Sequence, residues 1–336
     1  MKSYHLDPAA GERALTVREH PDPRPGAGQA VVRVRASSLS FRELMVLDGD
    51  YPLPIRPDVV PVCAGAGEVV AVGAGVGRVA VGDRVMPGVF PRWLDGPFAY
   101  ESADQLGSSL DGMLTELALL DAEGLVPVPE HLSYEEAAAL PLTAVTAWNA
   151  LTGGRPPMPG ETVLTLGSGS VSLFALQLAT AAGARVIATT SGPEKARRLR
   201  GLGADAVVDR RSTPDWEQEV RALTGGRGVD RVVEVAGTLE RSLKAVALDG
   251  EVAFVGHWLA REQARAVPLD VLFGSVARLR CVAVGSRAQF TAMNRAVTAH
   301  RLRPVVDRVF PFAEAPAAFR HVRAGGHLGT TVISHG

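Results

Sequence analysis

The chain has 336 residues, 46% of them apolar, and a formal net charge of −1. That length predicts about two domains with ordinary cores, and the near-zero charge excludes a broad electrostatic pull toward nucleic acid or a membrane surface. No apolar run approaches the ~20 residues that span a bilayer, Met1–Asp7 lacks the apolar core of a signal peptide, and two cysteines far apart, Cys63 and Cys281, suggest no disulfide framework; a cytoplasmic protein is expected. From the start to about residue 110, short alternating runs predict strands at Ala30–Arg35, Gly67–Val72 and Asp83–Met86. One short helix opens at Ser40 and ends near Gly49. Two glycine patterns in this region, Gly65-Ala-Gly67 and Gly73-Ala-Gly75, do not open onto a helix and read as tight turns.

From Leu132 the pattern becomes helical. Ser133-x-x-Glu136 is a capping box for an Ala-rich helix, which Pro141 interrupts before helical spacing resumes over Thr143–Leu151. The Pro-rich turn Arg155–Gly160 leads into the most informative stretch. Glu161–Leu166 reads as a strand, Gly167-Ser168-Gly169-Ser170-Val171-Ser172 as a glycine turn, and Leu173–Gly183 as a helix. A second strand, Arg185–Thr190, follows. A strand and a helix on either side make such a turn a dinucleotide site, because backbone N–H groups and a helix N-terminus converge on a diphosphate. Ser172 stands at the third glycine position; it is small enough for the packing, and its hydroxyl can bond locally. Further strands are expected at Ala206–Asp209, Arg231–Ala236, Glu251–Val255 and Leu279–Gly285, with helices near 194–202, 215–224 and 239–247 between them. Alternation of this kind predicts a parallel sheet covered on both faces. The end returns to strands at Val305–Phe310 and Gly329–Ile333 around a helix at Ala315–Arg323 and is expected to rejoin the first domain.

Several motifs in this order carry a family resemblance. They are Ala36–Leu44 with Gly49-Asp50-Tyr51-Pro52, Gly65–Gly73, Val81–Val85, Leu140–Trp148 and the cofactor turn. The sequence resembles the medium-chain dehydrogenase/reductase superfamily, nearest its zinc-free, quinone-oxidoreductase-like branch. The resemblance implies α/β plus β architecture: a GroES-like β-barrel catalytic domain over 1–128 and 287–336, a Rossmann doubly wound parallel-sheet domain over 129–286, and a cleft between them. It also implies a homodimer paired through the last Rossmann strand.

The departures bear on the chemistry. Zinc-dependent members carry Cys where this chain has Ser40, Gly-His-Glu where it has Val62-Cys63-Ala64, and Cys where it has Leu142. A catalytic zinc needs about three protein ligands; Ser, Cys and Leu do not supply them, and two cysteines in all exclude a four-cysteine structural zinc. No zinc is therefore expected. Without a Lewis acid, oxidation of a simple alcohol loses its activator. Reduction of an electron-poor C=C bond or a quinone needs only hydride and a hydrogen-bond donor for the developing oxygen anion.

The candidate catalytic residues are Tyr51, Ser40 and Arg42. The resemblance puts Ser40 toward the nicotinamide, and the residues alone make it a helix N-cap with Glu43. Arg42 either faces the cleft or is a solvated or paired surface cation. Tyr51 matches a tyrosine proposed as proton donor in related enoyl reductases, and equally suits a cleft wall. Arg92 and His257 are weaker candidates for substrate or nicotinamide contact, and Cys63 reads as a small buried hydrophobe. Cofactor contacts are expected from Gly167, Ser168, Gly169, Ser170 and Val171 in the turn, Thr146 and Gly285 near the nicotinamide, and Val255 and Gly256 at a strand end. The second strand ends in Thr189-Thr190-Ser191, with no carboxylate for an NAD ribose. Thr190, Ser191, Lys195 and Arg210 are then free to take a 2′-phosphate, so NADPH is favoured, although Lys195–Arg198 also reads as a solvated helix face. The leading expectation is a zinc-independent NADPH-dependent reductase of activated C=C bonds or quinones, with a small-molecule substrate. The alternatives are an alcohol or carbonyl oxidoreductase of the same superfamily, and an NADPH-binding protein without turnover.

Overall fold

The computed structural model describes residues 1–7, 14–256 and 266–336. The chain divides into two compact units, Met1–Val145 with Val284–Gly336, and Thr146–Ala283.

The first unit contains β1 (Lys2–Asp7), β2 (Ala14–Glu19), β3 (Gln29–Leu39), α1 (Phe41–Asp48), β4 (Ala64–Val72), β5 (Arg84–Pro87), β6 (Leu117–Asp121), β7 (Leu125–Pro127) and α2 (Tyr134–Ala138). Among the described residues, β1 and β2 form an antiparallel pair. A second, seven-stranded sheet joins the two chain segments of this unit, because β3 pairs with β4 and β6 and also with β15 (below) near the end of the chain. Gly65-Ala66-Gly67, expected as a turn, lies inside β4. A Cβ at Gly67 would stand 2.2 Å from the Arg33 carbonyl oxygen, so close approach to β3 is what requires the glycine.

Ser133 caps α2 as expected: its Oγ accepts from Glu136 N, and the Glu136 carboxylate accepts from Ser133 N. Pro141 has no N–H to donate, and Leu140–Ala144 forms a π-helical turn before α3 (Val145–Thr152) resumes. The first unit thus runs to Val145 rather than 128. The extra residues are tied to its sheet: Ser38 Oγ donates to Ala138 O at 2.8 Å, and Arg303 pairs with Glu136 at 2.7 Å.

The second unit continues with β8 (Thr162–Leu166), α4 (Ser170–Ala181), β9 (Arg185–Thr190), α5 (Pro193–Gly201), β10 (Ala206–Asp209), α6 (Trp216–Ala222), β11 (Val229–Glu234), α7 (Leu239–Ala245), β12 (Val246–Phe254), α8 (Leu269–Ser275) and β13 (Arg278–Cys281). Among the described residues its six strands are parallel, in the order β10-β9-β8-β11-β12-β13. This is the strand order 3-2-1-4-5-6 of a dinucleotide-binding Rossmann sheet. Every residue of β8 is buried, as a central strand covered on both faces requires. Leu164, Leu166, Ile187, Val232 and Val252 share one core cluster with Trp216 of α6. β13 ends at Cys281, earlier than the expected Gly285. Val282 N still donates to Phe254 O, but the next carbonyl, Ala283 O, accepts from the Asn149 side chain instead.

The chain then returns to the first unit through α9 (Arg287–Ala299), β14 (Val306–Pro311), α10 (Ala315–Ala324) and β15 (Thr330–Ser334). Phe319 and Val322 of α10 pack with Leu44 of α1 and Ile333 of β15 in one core. No described helix is long and apolar enough to cross a membrane.

Candidate active site

The first unit places a buried polar cluster behind α1. Ser40 is the N-cap by position, with extended backbone, but its side chain makes no capping hydrogen bond, and its Oγ is buried without a partner. The capping box expected there does not form, because Glu43 turns inward. Its carboxylate meets Arg42 Nη1 at 3.2 Å and accepts from Cys63 Sγ at 3.1 Å. Arg42 is itself buried, so it is not a solvated surface cation. Its Nη2 donates to Gln105 Oε1 at 2.9 Å and Leu106 O at 3.1 Å. Burial works against the Arg42 charge, but the Glu43 carboxylate beside it opposes burial and the pKa is raised, so the guanidinium stays charged. Burial, then the Glu43 carboxylate, pushes the Cys63 thiol well above its usual value, so it stays a thiol.

Val62 adopts φ 74°. A β-branched residue in this left-handed region is strained, at a cost of order 1–3 kcal/mol.

Tyr51 is half-buried beside this cluster. Its hydroxyl donates to Gln105 Oε1 at 3.0 Å, and the Arg42 guanidinium lies 4.7 Å over its ring. Burial raises the phenol pKa above 10, and Arg42 opposes that shift only in part. Arg92 is exposed and pairs with Asp104 at 3.3 Å, while Trp93 packs with Phe90 and Phe98. His257 lies outside the described residues.

Two of the three positions compared above with zinc ligands carry no thiol, imidazole or carboxylate. Ser40 offers a hydroxyl and Leu142 nothing. The Cys63 thiol is bonded to a carboxylate that already pairs with a guanidinium. Among the described residues no group of three His, Cys, Asp or Glu side chains is arranged to hold a metal.

The second unit carries the dinucleotide turn. Gly167 has φ 80°, which favours glycine, and its N–H donates to both Thr189 O and Thr189 Oγ1. Gly169 is the N-cap of α4 and brings no side chain to cap it. A Cβ there would meet nothing within 4 Å, so the helix N-terminus is open to a diphosphate. Ser168, Ser170 and Val171 complete the half-exposed turn. Ser172 is buried, and its Oγ donates to Leu166 O at 2.7 Å, the local bond expected of it. At the end of β9, the Thr190 hydroxyl is buried without a partner. Arg210 N donates to Thr190 O, and the Arg210 Nε is likewise unpartnered. Ser191 and Lys195 are half-buried beyond this strand end. Val255 and Gly256 both donate their N–H to Glu234 O. Thr146 is buried at the start of this unit, whereas Gly285 belongs to the first unit, where a Cβ would meet Val145 Cγ1 at 2.7 Å. An uncapped helix end, an open glycine and unpartnered donors at the next strand end fit a dinucleotide.

Sequence reasoning did not single out Gln105. It lies in the irregular segment between β5 and β6, more than 60 residues from Arg42, and no motif marks it.

Comparison with known proteins identifies the family. Residues 26–130 match the family model described as alcohol dehydrogenase GroES-like domain, and residues 170–299 match that described as zinc-binding dehydrogenase. A zinc-type alcohol dehydrogenase-like protein of Schizosaccharomyces pombe is 38% identical over 315 residues, 91% of this chain and 90% of the relative. A quinone oxidoreductase of Pseudomonas aeruginosa is 32% identical over 336 residues, 96% of each chain. An acryloyl-coenzyme A reductase of Metallosphaera sedula is 33% identical over 258 residues, 73% and 74% of the two chains. A solved NAD-dependent alcohol dehydrogenase superposes with a TM-score of 0.90 at 33% identity, covering 100% of both chains. The chain belongs to the medium-chain dehydrogenase/reductase superfamily of oxidoreductases.

Proposed function

We propose that the chain is a zinc-independent, NADPH-dependent reductase of activated C=C bonds or quinones, of the quinone-oxidoreductase-like branch. The observation that carries this reading is the donor set at the metal positions: Ser40, a protonated Cys63 and Leu142, with the Arg42–Glu43 pair set against Cys63. The similarity to a quinone oxidoreductase and an acryloyl-coenzyme A reductase supports the substrate class.

The turn Gly167–Val171 and the N-terminus of α4 hold the diphosphate. Thr190, Ser191, Lys195 and Arg210 take the 2′-phosphate, for which the unpartnered Thr190 Oγ1 and Arg210 Nε are the support. Thr146, Val255 and Gly256 shape the nicotinamide end. When bound, the reduced nicotinamide supplies the hydride. Tyr51 holds a proton at its hydroxyl, as a phenol does at neutral pH, and gives it to the substrate oxygen as negative charge develops. Ser40 Oγ, buried without a partner, is the second donor. Arg42 steadies Tyr51 through its ring.

Two copies pair through β13, the edge of the Rossmann sheet, and the protein works in the cytoplasm, where the exposed thiol of Cys281 stays reduced.

The test is oxidation of NADPH and of NADH over a panel of quinones, enones and enals, with metal content measured on the same sample. Turnover of enones or quinones by zinc-free protein, faster with NADPH, is expected. Activity confined to simple alcohols and dependent on added zinc would sink the reading in favour of an alcohol dehydrogenase, the reading that the NAD-dependent structural neighbour favours. Faster turnover with NADH would remove the NADPH assignment alone.

A further inference from the structure

Gln105 is fully buried, and two donors converge on its side-chain oxygen: Arg42 Nη2 at 2.9 Å and the Tyr51 hydroxyl at 3.0 Å. Turning the amide over would set its NH₂ group against the Arg42 guanidinium, which can only donate, so its orientation is determined. The residue is anchored from behind as well. Gln105 N donates to Ser109 Oγ at 2.9 Å, and Ser109 Oγ donates to Asp104 Oδ1 at 3.1 Å. Arg42 is fixed in turn by Glu43 and by Leu106 O. The phenol oxygen of Tyr51 therefore meets a rigid acceptor whose lone pairs favour O–H over O⁻, while the guanidinium over its ring favours the reverse.

We propose that Gln105 is a positioning residue for Tyr51, pinning the phenol oxygen and keeping it protonated between turnovers. The proposal rests on the reading of Tyr51 as proton donor. The hydroxyl hydrogen turns from Gln105 Oε1 to the substrate oxygen. Gln105 Oε1 then keeps only the Arg42 bond and stands against any phenolate left behind. Reprotonation of Tyr51 from solvent restores the starting bond.

The test combines a titration with a double-mutant cycle. Protein labelled with ¹³Cζ-tyrosine gives the ionisation of Tyr51, whose resonance is the one missing in Tyr51→Phe. Gln105→Leu removes the acceptor and leaves Arg42, so Tyr51 ionises at lower pH than in the unaltered protein. Gln105→Glu adds a negative charge at the same place, so it ionises at higher pH. In steady-state turnover, Gln105→Leu lowers kcat roughly 10-fold with little change in KM, and in the Tyr51→Phe background by less than about 2-fold, since the two residues act as one unit. If Gln105→Leu does not fold, Gln105→Glu carries both measurements. A Tyr51 midpoint that moves in neither variant overturns the proposal whatever the turnover, and so do kcat losses that multiply in the double variant. Undiminished turnover by Tyr51→Phe overturns the proton-donor reading instead, and the titration alongside it tells the two failures apart.

Discussion

His335, just after β15, illustrates how single residues couple this fold to its conditions. Its Nδ1 faces Thr115 O at 3.1 Å and its Nε2 faces Ser37 Oγ at 2.9 Å. The carbonyl can only accept, so Nδ1 carries the hydrogen and Nε2 accepts from the serine. Burial lowers its pKa from 6.5 to about 4. Above pH 6.5 the ring is neutral in both the native and the unfolded chain and contributes nothing to pH dependence. As pH falls through 6.5 the unfolded chain takes up a proton that the native ring refuses, and the loss of stability grows until about pH 4, reaching about 3 kcal/mol. Urea unfolding at pH 7 and at pH 4.5 checks this. The drop in stability between the two is expected to shrink by most of that amount in His335→Gln. An equal drop in both proteins would refute it.

At the scale of elements, the same pattern has two outcomes. Ser133-x-x-Glu136 forms a reciprocal capping box at α2, whereas Ser40-x-x-Glu43 at α1 does not. The difference lies in the partners of the glutamate: Arg42 beside it on α1 and Cys63 from a distant segment offer Glu43 a guanidinium and a thiol, and a carboxylate–guanidinium bond outweighs a neutral backbone N–H. The second unit shows a matching contrast between two glycines, Gly169 in the cofactor turn and Gly256 just after β12. A Cβ at Gly169 meets nothing within 4 Å, while one at Gly256 would lie 2.2 Å from Val235 O. Gly169→Val is therefore expected to keep the melting temperature within about 2 °C and weaken dinucleotide binding at least 10-fold, because the side chain enters the space of the diphosphate. Gly256→Ala is expected to lower the melting temperature itself, since backbone must shift. Calorimetry and fluorescence titration with NADPH separate the two, and a Gly169→Val protein that binds NADPH normally would contradict the placement of the diphosphate.

For the molecule as a whole, the exposed edge of the Rossmann sheet is the feature left to explain. β13 is the terminal strand, and Leu279 on it and Phe273 on the preceding α8 are exposed. Among the described residues no further strand pairs with β13, and a sheet edge with apolar side chains favours pairing, which supports the proposed homodimer. Light scattering after gel filtration is expected to give twice the 35.3 kDa chain mass, and the chain mass alone for the double variant Leu279→Asp with Phe273→Asp. A monomer for the unaltered protein would remove the dimer.

Much of this was legible in the residues alone. Apart from β13, the start of β12 and α8, which was not anticipated, the strands and helices of the Rossmann unit could be placed to within a few residues, because local hydrophobic period and turn chemistry are properties of adjacent residues. The cofactor turn and the missing carboxylate after β9 were equally local. The tertiary structure alone decided the rest: that Gly65–Gly67 is strand rather than turn, that the first unit extends to Val145, that Glu43 abandons its cap, and that Gln105 joins Arg42 and Tyr51. Each depends on groups distant in sequence meeting in a buried place, where an unpaired charge or donor is costly enough to overrule local preference.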